Sequence, residues 1–333
     1  MSSTFVEDKT ELLCAQQMLF AGRPLLLRTN APILLRYASD FLASEDNNAE
    51  VLPHAVAKIT LIVRSTEEVR GDNAPWFRAR GHFALARFSD QDVLWFNLRT
   101  REVSGSFSKH FADDEDRWRC HVFPTLLGIL SAVIDVAPVH AACIAHSSGG
   151  VLLAGTSGTG KSTLTVSLAQ RGYPLLSDDW TYISNHGDAI EAWGLPVPVK
   201  LLPDAHNFFP ELSSQFPRVS LNGEIAYEVE PEVCFHVSRR THCGVKFIVL
   251  LERSAKQGCH IHKISAAEAV DHLITEIEPL HGSLAKYYDR QIDLVRQLKS
   301  AICLRVSFNS HPRLVVEALD LALANAHELR VSV

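Results

Sequence analysis

The stretch Gly155-Thr156-Ser157-Gly158-Thr159-Gly160-Lys161-Ser162 carries the spacing G-x-x-x-x-G-K-S. Glycines at 155, 158 and 160 let the main chain wrap closely enough for successive N–H groups to converge on one anion. The lysine supplies a charge that reaches the β- and γ-phosphates of a nucleoside triphosphate, and the serine supplies a hydroxyl for magnesium. Residues Gly155 to Thr163 are the predicted nucleotide-binding set, with Thr163 following the magnesium-binding Ser162. Asp178 and Asp179 come 17 and 18 residues after Lys161. A carboxylate there can bind the metal, directly or through water, while its neighbour accepts a proton from an attacking hydroxyl. A divalent cation would offset their mutual repulsion. The chemistry expected is phosphoryl transfer with Mg2+ as cofactor and ATP as donor; the pattern also admits GTP or pyrophosphate.

The elements that must position these groups read clearly around them. Residues 139–146 and 151–154 are apolar and joined by Ser-Ser-Gly-Gly, a tight-turn sequence, so a hairpin is expected to lead into the glycine loop. A helix is predicted over 161–170, with Leu164 and Leu168 on one face and Gly172 placed to end it. Its N-terminal dipole adds potential favourable to phosphate. Residues 174–177 form a short strand that delivers the aspartate pair, and 181–184 with 189–193 flank Asn-His-Gly-Asp as a second hairpin. Farther on, 245–251 and 260–262 read as strands, and 266–277 and 312–326 as packing helices.

Residues 1–125 hold no chemical motif and read as a smaller α+β domain, placed to recognise an acceptor. Strands are expected at 25–27 and 59–63, a helix at 33–42 after Asn30-Ala31-Pro32, a polar turn at 44–49, a hairpin at 83–88 and 93–98, and a strand at 102–107. An apolar helix from about 122 to 134 opens the second domain, residues 126–333. The fold class expected is α/β (α+β).

The run from Val139 to Ile183, with His140 ahead of the hairpin, the glycine loop, a helix ending in Arg171-Gly172 and then Ser177-Asp178-Asp179, resembles the catalytic domain of HPr kinase/phosphorylase and its kinase-like relatives. A more distant likeness is to phosphoenolpyruvate carboxykinase. The match spans about residues 138–200, a fifth of the chain. It implies a P-loop kinase domain of the HPr kinase/carboxykinase type. It also implies that His140 lies near the reacting phosphate, and that one of Asp178 and Asp179 is the general base while the other binds magnesium together with Ser162, with Asp179 favoured over Asp178 for the metal. Thr163-Leu164 stands where the HPr enzymes tend to have glutamate, and 1–125 does not resemble their N-terminal domain. The likeness is therefore closer to relatives that modify serine or peptides. It implies a serine-type kinase acting on a hydroxyl of a peptide, small protein or small molecule, and an oligomer of the kind HPr kinases form. The competing expectation is a nucleotide-binding regulator or assembly module, which would bind ATP and turn it over slowly without an acceptor.

The bulk composition is that of a soluble globular protein. Of 333 residues, 47% are hydrophobic and 21% charged, and the net charge of −6 does not favour a nucleic-acid partner. The polar, acidic N-terminus is not that of a signal peptide, and the longest apolar stretch, 124–139, is interrupted by Asp135 and too short to span a bilayer. Seven cysteines without a C-x-x-C pair are expected as reduced thiols, and a cytoplasmic protein without a membrane partner is expected. Cys234, His236, His242 and Cys243 include zinc-binding residue types at a spacing that fits no standard zinc site. Arg239, Arg240 and Arg253 are candidate phosphate or acceptor contacts, since guanidinium forks suit phosphate. Trp193 is read as core, and the proline-stiffened 195–200 as a wall beside the nucleotide or acceptor.

Overall fold

The computed structural model describes residues 13–42, 55–65, 75–187, 189–219 and 223–326. The expected polar turn at 44–49 lies outside them. The chain forms two compact units that meet in sequence between Leu130 and Ser131, with residues 41 and 42 grouped with the second.

The first unit contains β1 (Cys14–Phe20), β2 (Arg23–Thr29), α1 (Pro32–Phe41), β3 (Ala57–Arg64), β4 (Trp76–Arg80), β5 (Phe83–Arg87), β6 (Val93–Asn97) and β7 (Glu102–Ser108). Short helices α2 (Lys109–Ala112) and α3 (Glu115–Arg117) lead through a π turn, Trp118–Val122, into α4 (Phe123–Ser131). One sheet takes the order β1-β2-β3-β7-β6-β5-β4. It is parallel where β3 meets β2 and β7, and antiparallel elsewhere. Expected strands at 25–27, 59–63 and 102–107 and the 83–98 hairpin fall within β2, β3, β7, β5 and β6. β1 and β4 are additional to the sequence reading. Phe107, Phe111, Trp118 and Phe123 pack as a cluster of tilted and edge-on rings with centroids 4.6–6.3 Å apart, and the Trp118 indole donates to Phe111 O at 3.1 Å.

In the second unit β8 (Val136–Val139), β9 (Ala141–His146), β10 (Gly149–Ala154), α5 (Lys161–Gln170), β11 (Leu175–Ser177), β12 (Thr181–His186) and β13 (Ala189–Trp193) follow one another. A smaller three-stranded sheet comes next, from β14 (Val199–Leu201), β15 (Arg218–Val219) and β16 (Ile225–Val229). The chain continues with α6 (Pro231–Cys234), β17 (His242–Arg253), β18 (Gly258–Lys263), α7 (Ala266–Thr275), α8 (Ala285–Arg296), β19 (Ile302–Asn309) and α9 (Pro312–Ala324). The main sheet is nine-stranded, and the long β17 joins its two parts. At its start β17 pairs with β13, which leads through β12 to β8; farther along it lies parallel to β10 and β19.

The sheet has helices on both faces, and period-two alternation decides which side chains each layer receives. Val151 and Leu153 of β10 join Leu164, Val166 and Leu168 of α5 and Val315, Val316 and Leu319 of α9 in one core layer. Leu152 and Ala154 point the other way, to Val270 and Leu273 of α7 and Leu294 and Val295 of α8. Burial on both faces explains why β10 reads as an unbroken apolar run. No described helix is long and apolar enough to cross a membrane. The architecture is mixed α/β, consistent with an α+β fold.

Candidate functional site

Strand direction gathers the candidate residues at one edge. β10, β17 and β19 are parallel, and β11 shares their direction because both β11 and β10 are antiparallel to β9. Their carboxyl ends therefore lie on the same edge, the usual place for ligands in such sheets. The glycine loop leaves β10 there, Asp178 and Asp179 leave β11, and Arg253 ends β17. β9 begins at this edge, which places the preceding His140 there as well.

The loop from Gly155 to Gly160 turns directly into α5. Gly155 has no room for a side chain, since a Cβ would lie 2.6 Å from Leu251 O. Thr159 donates its hydroxyl to Thr156 O at 2.7 Å and bracing the loop from inside, while Lys161 is only 8% exposed and donates its ammonium to Gly155 O at 2.7 Å. Burial lowers the Lys161 pKa; Asp179 and then Glu276 act against that shift. Ser162 and Thr163 occupy the first turn of α5, and the predicted helix over 161–170 is found with those bounds, followed by Gly172 at φ 96°.

The two aspartates, adjacent in sequence, sit in different surroundings. Asp178 is 5% exposed, and its Oδ2 accepts the main-chain N–H of Lys200 at 3.0 Å. Desolvation is the main cause that pushes its pKa up to about 7, the Lys200 N–H opposing it and Asp179 adding to it. Asp179 has a half-exposed side chain and accepts from His140 Nε2 at 2.8 Å. The other ring nitrogen of His140, Nδ1, lies 3.1 Å from Glu276 Oε2. Flanked by two carboxylates, the imidazole has its pKa raised, first through the Asp179 hydrogen bond, against the opposing effects of burial and Lys161. Trp180 stacks on the imidazole with centroids 5.3 Å apart and remains 42% exposed.

Several contacts hold this arrangement from behind. Thr181, fully buried, donates to Ala141 O at 2.7 Å and meets Ser177 Oγ at 2.6 Å, tying the aspartate turn to the start of β9. A Cβ on Gly194 would lie 1.9 Å from Leu176 O, so only glycine lets the chain after β13 run against β11 on its way to Lys200. Arg239, expected as a phosphate or acceptor contact, instead ties down that segment. It donates to Leu195 O and Val197 O, each at 3.0 Å, and pairs with Glu232 at 2.7 Å. Residues 195–200 thus form a wall beside Asp178. Trp193 stacks on His242 at 4.3 Å.

Among the described residues no group of three or more His, Cys, Asp or Glu side chains converges for a metal ion. The residue types at 234–243 do not assemble: the Cys243 thiol is in hydrogen-bond contact with the Cys143 thiol and the His242 ring stacks on Trp193. All seven cysteines are free thiols. Glu276 and Trp180 were not singled out in the sequence. Trp180 follows the aspartates directly and was available to inspection; Glu276, at the end of α7, carries no local signal of its contact with His140.

No family model matches the chain, and no curated protein matches it either. Among solved structures, the Hpr(Ser) kinase/phosphatase from Coxiella burnetii is similar at a TM-score of 0.31 and 14% identity, over 57% of this chain and 90% of that one. A likeness this slight assigns neither fold nor activity.

Proposed function

We propose that this chain is an ATP- and magnesium-dependent kinase that transfers the γ-phosphate to a hydroxyl, serine being the acceptor type, on a peptide, protein or small molecule. The observation that carries this reading is a buried carboxylate with a pKa of about 7 at the same sheet edge as a glycine loop and its lysine. A general base works best when its pKa lies near the working pH, so that it is ionised and still able to hold a proton. Asp178 meets that condition through burial, whereas Asp179 is half-exposed and engaged by His140.

The loop N–H groups and the start of α5 would receive the phosphates of ATP, and Lys161 would exchange Gly155 O for a phosphate oxygen. Asp178 would take the proton of the attacking hydroxyl, and its burial keeps water from competing for that proton. His140 would hold Asp179 and add positive charge beside the transferring group. Ser162 and Asp179 offer hard oxygen donors suited to Mg2+, an ion that is commonly bound through one or two protein oxygens plus substrate phosphates. When bound, magnesium would neutralise charge developing on the phosphates.

The test uses γ-labelled ATP with free serine and serine-containing peptides as acceptors. Asp178→Asn and Asp179→Asn are each expected to slow transfer at least about 100-fold. Transfer by both variants at the wild-type rate would show the site to be wrong. Nucleotide turnover that stays minimal with every acceptor would favour the regulatory module.

A further inference from the structure

Arg253 ends β17, the strand parallel and adjacent to the one that feeds the glycine loop. Its guanidinium rests on the Phe308 ring, 4.6 Å from the centroid. That platform holds it against the loop: a Cβ placed on Gly160, the residue before Lys161, would meet the Arg253 Nη2 at 3.1 Å. Arg253 and Thr156, Ser157, Gly158 and Thr159 line one cavity of about 490 Å3.

Charge bookkeeping separates Arg253 from its neighbour in that cavity. Arg305 is engaged by Glu268 and, at 3.9 Å, by Glu252. Among the described residues no carboxylate pairs with Arg253. A guanidinium without an acid partner, propped on a ring beside the glycine loop, has its donor fork available for an anionic ligand.

We infer that Arg253 is a second cationic ligand for the triphosphate chain, gripping it at the Gly160 shoulder of the cradle while Lys161 holds it from within. This rests on the proposed nucleotide-binding function and names a residue which that function does not require. Arg253 would bind phosphate oxygens through its fork, so it acts on polyphosphate whether or not a nucleoside is attached.

The experiment is calorimetric titration of the full chain with Mg·ATP and, separately, with magnesium tripolyphosphate. Arg253→Gln is expected to weaken both by about 10- to 100-fold, the range for losing a charge-assisted contact. Arg253→Lys, which keeps charge and loses the fork, should fall between. Lys256→Gln, an equal change of charge three residues away, should bind as wild type. Arg253 is exposed, so the melting temperature of the free protein should not change with its substitution. Wild-type failure to bind Mg·ATP would sink the kinase reading and this inference together. If wild type binds, Lys161→Ala does not, and Arg253→Gln binds both ligands normally, the inference alone is overturned. It is equally overturned if Arg253→Gln loses ATP but retains tripolyphosphate, which would place the contact on the nucleoside, or if Lys256→Gln weakens binding as much.

Discussion

Among the described residues each unit buries one aspartate to about the same depth, Asp92 in the first and Asp178 in the second, both at 5% exposure. Their partners differ. Asp92 Oδ1 accepts the Ser108 N–H at 2.6 Å, Oδ2 accepts the Ser89 hydroxyl, and Arg64 lies 3.6 Å away. Asp178 accepts the Lys200 N–H and its own main-chain N–H, Arg239 acts on it from beyond ion-pair distance, and a second carboxylate follows it in sequence. Burial to the same depth therefore leaves two carboxylates with different roles, because their partners differ. Asp92 is tied into the first unit by Ser108, Ser89 and Arg64, whereas at Asp178 desolvation outweighs the donors and the carboxyl holds its proton to near-neutral pH.

That contrast predicts a pH effect as its largest consequence. The folded pKa of Asp178, about 7, lies above the 3.8 of an unperturbed aspartate, so the folded state binds the extra proton between those values. The stability Asp178 contributes is complete below 3.8, falls as pH rises toward 7, and is lost above it. Three pH units correspond to about 4 kcal/mol. Urea unfolding of the nucleotide- and metal-free protein should show Asp178→Asn gaining on wild type by that order from pH 4 to pH 8. A constant difference would remove the basis for calling Asp178 a poised base.

Asp92→Ala should do the opposite, costing about 3 kcal/mol because it leaves the buried Ser108 N–H and Ser89 hydroxyl without their acceptor and removes the acid beside Arg64. Denaturant midpoints measure this, and a loss under about 1 kcal/mol would erase the distinction between the two aspartates. The smallest effect is expected at the rear of the imidazole. Glu276→Gln keeps the hydrogen-bonding shape and removes one of the two charges beside His140, and turnover should drop about tenfold, close to 1.4 kcal/mol, with ATP affinity unchanged. Steady-state kinetics would show it, and a wild-type turnover number would confine the working cluster to Asp178, Asp179 and His140.

The parts legible in sequence are those whose signal is local. Glycine spacing marks the loop, apolar runs mark β9 and β10, and the turn Asn185-His186-Gly187-Asp188 marks the β12–β13 hairpin. What escaped reading depends on remote contacts. In α8 only Tyr287, Gln291, Leu294 and Val295 are buried, and Gln291 is satisfied by Val136 O at 3.0 Å and by Ser131, a buried role that a glutamine does not advertise. β19 alternates arginine and serine with buried Leu304, Val306 and Phe308, a strand whose place between β17 and β18 appears only once the sheet is assembled.

By itself the sequence determined the glycine loop and the acid pair that follows it, because glycine backbone freedom and a few consecutive residues are enough to specify both. Only the tertiary structure decided which acid is buried and which faces His140, that Arg239 braces a loop while Arg253 lies against Gly160, and that Glu276 meets the imidazole. Those outcomes turn on desolvation and charge at close range. Both are set by side chains that arrive from α7, β14 and β17, and their positions exist only when the sheet is closed.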